Sequence, residues 1–306
     1  MLSRRGFVVG SAAGLAALGC RARLDDSDVR AVDAVVPAMR TRDGAGVSLR
    51  RALGSRALPL LDPFLMLDEI HSDREEDWIA GFPRHPHRGF ETVSYLISGG
   101  FEHRDSSGNH GLIADGGVQW MTAGRGIIHS EMPRQAAGLD LWGLQLWVNL
   151  PAARKMSRPR YQDLGAEVVP EIAVGAARAR LVAGLVDGHR GPVEGIVTDP
   201  TMLDATLPAG QELRLALPAT HTAFVYALAG EVEVGPARTR VPAGSIAALG
   251  RGRAFTATSA SGGRFLLLAA AAIGEPVARR GPFVMNTEAE LDQAVADYRS
   301  GRLVGG

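Results

Sequence analysis

Arg84-His85-Pro86-His87-Arg88-Gly89-Phe90-Glu91-Thr92-Val93-Ser94-Tyr95-Leu96 is the stretch on which the reading of this chain turns. Its second half is β-branched, aromatic and apolar, the composition of a strand. Its first half carries two histidines two positions apart. Side chains alternate between the faces of a strand, so His85 and His87 share one face, and in a closed barrel that face can be the interior. Glu91 has the same parity and joins them if the strand stays regular. Pro86 has no amide hydrogen for a ladder and points to a bulge or a sheet edge.

Downstream, Gly124-Arg125-Gly126-Ile127-Ile128-His129-Ser130-Glu131-Met132-Pro133 repeats the arrangement, with His129 and Glu131 again two apart. Two adjacent strands thereby bring three imidazoles and a carboxylate to one point. That donor set suits Fe, Ni, Zn, Mn or Cu, and on an octahedral ion it leaves two positions open. A lone histidine pair is weak evidence for a metal; the second pair on a second strand makes the pattern specific. His71, His189 and His221 are isolated and read as surface or capping residues. His103 and His110 flank Asp105-Ser106-Ser107-Gly108-Asn109, a turn-rich loop that reads as solvated, the alternative being that the two line the mouth of the site.

Short apolar runs between Gly and Pro continue on both sides of this region. Gly117-Val118-Gln119-Trp120-Met121 and Leu144-Gln145-Leu146-Trp147-Val148 are examples from the first half; Ala223-Phe224-Val225-Tyr226-Ala227-Leu228 and Arg264-Phe265-Leu266-Leu267-Leu268 are examples from the second. Many such strands in succession predict sandwiches or barrels. The polar, Pro-containing residues 153–164 read as a linker between domains at 31–152 and 165–285. A faint echo between the halves, Leu96 to Gly100 and Thr122-Ala123-Gly124 against Ala227-Leu228-Ala229-Gly230 and Val241-Pro242-Ala243-Gly244, suggests two copies of one barrel. In residues 286–306, Thr287 and Glu290 form a capping box ahead of Leu291, Ala294, Val295 and Tyr298 at helical spacing, so the tail is a helix whose apolar stripe packs on a barrel.

The composition is that of a globular chain, 46% hydrophobic and 22% charged. Its 33 Lys and Arg balance 33 Asp and Glu, so no long-range field favours nucleic acid. Residues 1–20 differ from the rest. Ser3-Arg4-Arg5-Gly6-Phe7 precedes an apolar run, Val8 to Gly19, well short of the about 20 residues of a spanning helix. It resembles a twin-arginine export signal, which implies a periplasmic protein folded before export. Ala17-Leu18-Gly19-Cys20 resembles a lipobox, so a lipidated Cys20 with residues 21–30 as tether gives membrane attachment. Cys20 is the only cysteine, which excludes an intrachain disulfide.

The segments His85-Pro86-His87-Arg88-Gly89-Phe90-Glu91-Thr92, His103-Arg104-Asp105-Ser106, Gly108-Asn109-His110-Gly111, Gly117 to Gly124 and Gly126-Ile127-Ile128-His129-Ser130-Glu131-Met132-Pro133 resemble the pirin family, as does Gly281-Pro282-Phe283-Val284-Met285-Asn286-Thr287 near the end. The resemblance spans roughly residues 35–303. It implies an all-β chain of two tandem cupin domains, each a jelly-roll β-barrel. One metal, typically iron, is then held in the first barrel by His85, His87, His129 and Glu131, with Ni, Mn, Cu, Zn or Co as other ions such a site takes. In many other cupins the carboxylate comes from the position of Glu91; the resemblance assigns Glu131 as ligand and sets Glu91 behind it. The second barrel, lacking both histidine motifs, is expected to be metal-free. The implied activity is that of a quercetin 2,3-dioxygenase, a monomer cleaving a flavonol-like substrate with dioxygen. Glu131 or Glu91 would be the base, and Phe90, Trp120 and Met121 the apolar wall. The alternative is a non-catalytic, metal-bound regulatory or interaction protein; an isomerase or hydrolase using the same site is a third reading.

Overall fold

The computed structural model describes residues 25–134 and 140–304, so Arg4, Arg5 and Cys20 of the expected leader lie outside the described residues. Two antiparallel sheets close the first barrel. One runs in the order Arg160–Leu164, Val118–Thr122, Phe90–Ser98, Leu141–Asn149, Phe64–Ser72, Val47–Leu53, Met39–Asp43. Facing it are Phe82–His87, Ile127–Pro133, Phe101–Asp105 and His110–Ile113. The second barrel is built mainly on a sheet through Ser245–Leu249, His221–Val234, Gly263–Ala271, Thr201–Leu207 and Ala177–Ala183. The chain is thus all-β with two cupin domains and a C-terminal helix.

Alternation explains why the central strands are apolar on both faces. In Phe90–Ser98, Ser94 and Leu96 face a cavity inside the first barrel. Val93 and Tyr95 face the other way, into a core shared with Phe224, Tyr226, Leu266 and Leu268 of the second barrel. His221–Val234 does the same in reverse, sending Val225 and Ala227 into its own barrel. The shared core carries two phenol–carboxylate contacts related by the internal repeat. Tyr95 donates to Asp204 Oδ2 (2.6 Å) beside Arg264, and Tyr226 donates to Glu69 Oε2 (2.5 Å) beside Arg50. Each barrel supplies the phenol for a carboxylate of the other, and none of the four groups is left unpaired inside the interface.

The domain limits differ from the sequence expectation in three places, because strand pairing is settled by distant partners. Val32–Pro37, expected in the first domain, pairs with Ser245–Leu249 and extends the second barrel's sheet. The expected linker at 153–164 is a helical turn, Ala152–Lys155, followed by Arg160–Leu164, which pairs with Val118–Thr122 and belongs to the first barrel. The chain's last segment returns to the first barrel. There Ala278–Arg280 and Phe283–Met285 form a hairpin, Val284 N donates to Arg88 O (3.1 Å), and Arg88 pairs with Asp297 of the helix Glu288–Arg299 (2.9 Å). The capping box of Thr287 and Glu290 opens that helix, and Leu291 and Ala294 are its buried residues. The two domains therefore exchange terminal segments.

Candidate metal centre

Phe82–His87 is the edge strand of the smaller sheet, which is why Pro86 is tolerated within it. It pairs with Ile127–Pro133 so that His129 stands opposite His85 and Ile127 opposite His87, with a register shift between His129 and Glu131. The two-residue period then puts His85, His87 and His129 on the inner face. One ring nitrogen from each lies within 4.8 Å of the other two. His87 and His129 are buried, whereas His85 is half-buried. Burial, reinforced by the neighbouring imidazoles, holds His87 and His129 well below the ordinary histidine range, so both rings are neutral at pH 7.

The tautomers follow from the hydrogen bonds. His85 Nδ1 is 2.8 Å from Pro83 O and His87 Nδ1 is 3.4 Å from Pro282 O; a carbonyl only accepts, so each Nδ1 is the protonated nitrogen. The two Nε2 atoms, 3.0 Å apart, then present lone pairs to each other. Neither nitrogen of His129 has a hydrogen-bond partner among the described residues. Converging lone pairs on buried neutral imidazoles, oriented from behind by backbone carbonyls, fit a transition-metal ion.

Glu131 is also buried, on the wall of the same cavity, but stands outside the three-histidine cluster. Its Oε1 accepts from Ser94 Oγ (2.7 Å) and its Oε2 lies 3.4 Å from Gln145 Nε2. The structure thus gathers three of the four predicted ligands and places the fourth beside them. The cavity measures about 620 Å³, and Leu49, Met66, Ile70, Leu96 and Trp147 form much of its apolar lining.

Glu91 is a correction. It is buried, but it faces the second barrel with Val93 and Tyr95 and is absent from the cavity wall. Parity does not carry from His87 to Glu91, because Gly89 has φ 89° and separates two strands of different sheets. Thr122 Oγ1 donates to its Oε1 (2.7 Å), and Oε2 has no hydrogen-bond partner among the described residues. Burial pushes its carboxyl up to about 7, opposed by Thr122 and by the nearby Trp120 indole. Trp120 likewise belongs to the shared core, and Met121 packs with Ala123 and Ile127, so neither builds the cavity wall. Phe90 does adjoin the site, 5.0 Å from the His87 ring and 4.3 Å from Trp147.

Two histidines differ from their reading as exposed. His103 lies on Phe101–Asp105 opposite Glu131, is 2% exposed, and packs 5.3 Å from the His129 ring and 4.9 Å from Tyr161. Neither ring nitrogen has a partner among the described residues, and burial lowers its pKa. The alternation Phe101, His103, Asp105 was the signal for it. His221, in the second barrel, is buried too. His110 and His189 are exposed, and His71 stacks on Trp142 at 4.1 Å.

Lys155 braces the loop behind the histidines. Its ammonium, 1% exposed, donates to Gly89 O (2.7 Å), Asn149 Oδ1 (2.6 Å) and Val284 O (3.0 Å), tying the metal loop to the C-terminal hairpin.

Comparison with known proteins agrees with this architecture. The family model for pirin matches residues 46–148, and that for the pirin C-terminal cupin domain matches residues 202–304. The chain is 43% identical over 267 residues to a putative quercetin 2,3-dioxygenase of Pseudomonas aeruginosa, covering 85% of this chain and 93% of that protein. It is 44% identical over 276 residues to a pirin-like protein of Caulobacter vibrioides, covering 90% and 99%. A crystal structure of quercetin 2,3-dioxygenase from Acinetobacter baumannii superposes with a TM-score of 0.83 at 33% identity, covering 90% of this chain and 99% of that one. Two matched barrel models, relatives aligned over nearly their full length and a gathered three-histidine cluster lead to one assignment: the chain belongs to the pirin family.

Proposed function

We propose that this chain is a mononuclear iron dioxygenase of the quercetin 2,3-dioxygenase type, acting on a flavonol-like enol with dioxygen. The observation that carries the proposal is the meeting of three imidazoles, two of which, His85 and His87, line a cavity of about 620 Å³, large enough for a flat polycyclic ligand. Two relatives of the same architecture bear that activity in their names, at 43% and 33% identity.

His85, His87 and His129 would hold the ion, with Glu131 as the fourth donor. Iron, when bound, supplies Lewis acidity toward an enol oxygen and one-electron chemistry with dioxygen. The chain's own residues do the rest. Pro83 O and Pro282 O keep the His85 and His87 rings turned so that Nε2 faces inward. Glu131 accepts the substrate's hydroxyl proton on Oε2, whose partner Gln145 is distant, while Ser94 occupies Oε1. Asp43 and Asp68, the other carboxylates on the wall, are spent on Arg51. Trp147 and Met66 offer the ligand an apolar face and exclude water.

The test is anaerobic loading with Fe(II), addition of quercetin and oxygen, and a record of the flavonol absorbance. Loss of absorbance is expected for the wild type and not for His129→Ala; equal rates in the two refute the assignment. Retained turnover in His85→Ala/Glu131→Ala refutes the ligand set.

We also propose export of the folded chain to the periplasm by the twin-arginine route, with anchoring through a lipidated Cys20; its support is residues 3–20 of the sequence. Arg4→Lys/Arg5→Lys is expected to hold the protein in the cytoplasm, and Cys20→Ala to move it from membrane to soluble fractions. Unchanged fractionation in either variant contradicts the corresponding half of the proposal.

A further inference from the structure

Two adjacent arginines of the C-terminal hairpin have different fates. Arg280 points to the helix and pairs with Glu288 and Asp292, both at 2.5 Å. Arg279, one residue earlier and on the opposite face of the strand, reaches the wall of the metal cavity. Its guanidinium carbon lies 4.6 Å over the Trp147 ring, which also packs on His87 at 5.2 Å and on Phe90 at 4.3 Å. A single indole therefore bridges the histidine cluster and the guanidinium.

Of the three arginines on this wall, Arg51 is paired with Asp43 and Asp68, while the exposed Arg84 and Arg279 have no carboxylate partner among the described residues, and of these two Arg279 is the one stacked on the aromatic wall. A guanidinium offers five N–H donors. Among the described residues, those of Arg279 find only the thioether of Met66, a weak acceptor, at 3.6 Å. Among the described residues no carboxylate stands in ion-pair contact with it. The carboxylates nearby do not serve it, because Asp68 takes two hydrogen bonds from Arg51 (2.8 and 2.7 Å) and Asp43 takes one (2.7 Å). Stacking over Trp147 occupies the face of the guanidinium and leaves its in-plane N–H edges, on the wall of the cavity, without a strong acceptor.

We infer that Arg279 is an anion-binding subsite of the cavity, taking an anionic oxygen, a carboxylate or an ionised phenol, at the end of an aromatic substrate remote from the histidines. The inference rests on the dioxygenase reading for the aromatic half of that ligand and goes beyond it by naming which member of the class is preferred. The ring lies along Trp147, with its metal-facing oxygen toward His87 and its anionic oxygen in the fork. Because Arg279 arrives on the chain's last segment, the specificity of the first barrel is set by a residue that follows the second.

The test uses the full chain loaded with zinc, which binds without turnover, titrated calorimetrically with 3-hydroxyflavone and with the same molecule carrying a carboxylate on its fused ring. The wild type is expected to bind the carboxylated ligand roughly ten- to a hundredfold more tightly, the worth of a charge-assisted pair. Arg279→Gln is expected to erase that preference while changing the affinity for the neutral ligand less than about threefold, and Arg279→Lys to keep part of it. A phenol-bearing analogue, measured below and above its ionisation, should gain affinity on ionising only when Arg279 is present. Equal affinities for the neutral and carboxylated ligands in the wild type, or an equal loss of both in Arg279→Gln, overturn the subsite; the wild-type comparison decides even if that variant does not fold. Turnover of the same pair by iron-loaded protein separates the two claims. Preference without turnover supports the subsite and sinks the dioxygenase reading, and turnover without preference does the reverse.

Discussion

Glu91→Gln is the substitution for which structure and sequence parity give opposite forecasts. Parity alone would make Glu91 a base or a ligand, and its loss would abolish activity. In the structure the carboxyl is 2% exposed, faces the second barrel, and is pushed by burial from 4.5 to about 7. Between those two values the folded chain holds a proton that the unfolded chain has released, so stability falls as pH rises through that window. At about 1.4 kcal/mol per tenfold change, the charged side chain costs the fold about 3 kcal/mol above pH 7 and nothing well below 4.5. A glutamine keeps the bond from Thr122 and carries no charge. The variant should therefore match the wild type near pH 4.5 and exceed it by about 2–3 kcal/mol at pH 8. Urea unfolding of both proteins across that range gives the difference directly, with other titrations cancelling in the subtraction. A variant less stable than the wild type at pH 8, or a pH-independent difference, refutes the burial argument; loss of quercetin turnover at unchanged metal content would return Glu91 to the chemistry.

Other expectations follow from the same contacts. Gly89→Ala would place a Cβ 2.0 Å from Val284 O at φ 89°, so it should destabilise the fold by at least about 3 kcal/mol in urea and lower the bound metal per chain. Tyr95→Phe and Tyr226→Phe each remove a buried donor from a carboxylate, at about 1–3 kcal/mol apiece, and an unfolding curve that stays a single transition checks that the shared core unfolds as one. Chelation should lower the thermal midpoint of the wild type, and return of metal should raise it with the logarithm of free metal; His87→Ala should respond to neither.

The histidines were legible because a strand's two-residue period turns sequence spacing into direction, and His85, His87 and His129 each lie inside one regular strand. Glu91 was misread where that regularity ends, at the left-handed Gly89. His103 had the right alternation, yet the turn residues that follow it drew attention to a loop. The apolar wall was misassigned for a different reason: when both faces of a sheet are buried, composition no longer says which face is which, and Trp120 faces the neighbouring barrel. The domain limits were hidden because Val32–Pro37 finds its partner in Ser245–Leu249, and no local signal names a partner so far away. Arg279 carried no signal, since only the fold separates its role from that of Arg280.

The exchange of terminal segments has a consequence for biosynthesis. A ribosome that has delivered the first barrel as far as Leu164 has made all three histidines, but not Pro282 O, which orients His87, nor Val284 O, which shares the Lys155 ammonium with the loop at Gly89. The metal pocket is therefore finished only when the last strands emerge, after the second barrel has been synthesised. Loading of the ion becomes a late event that reports on completion of the whole polypeptide, and a truncated product is left with an imperfect cradle.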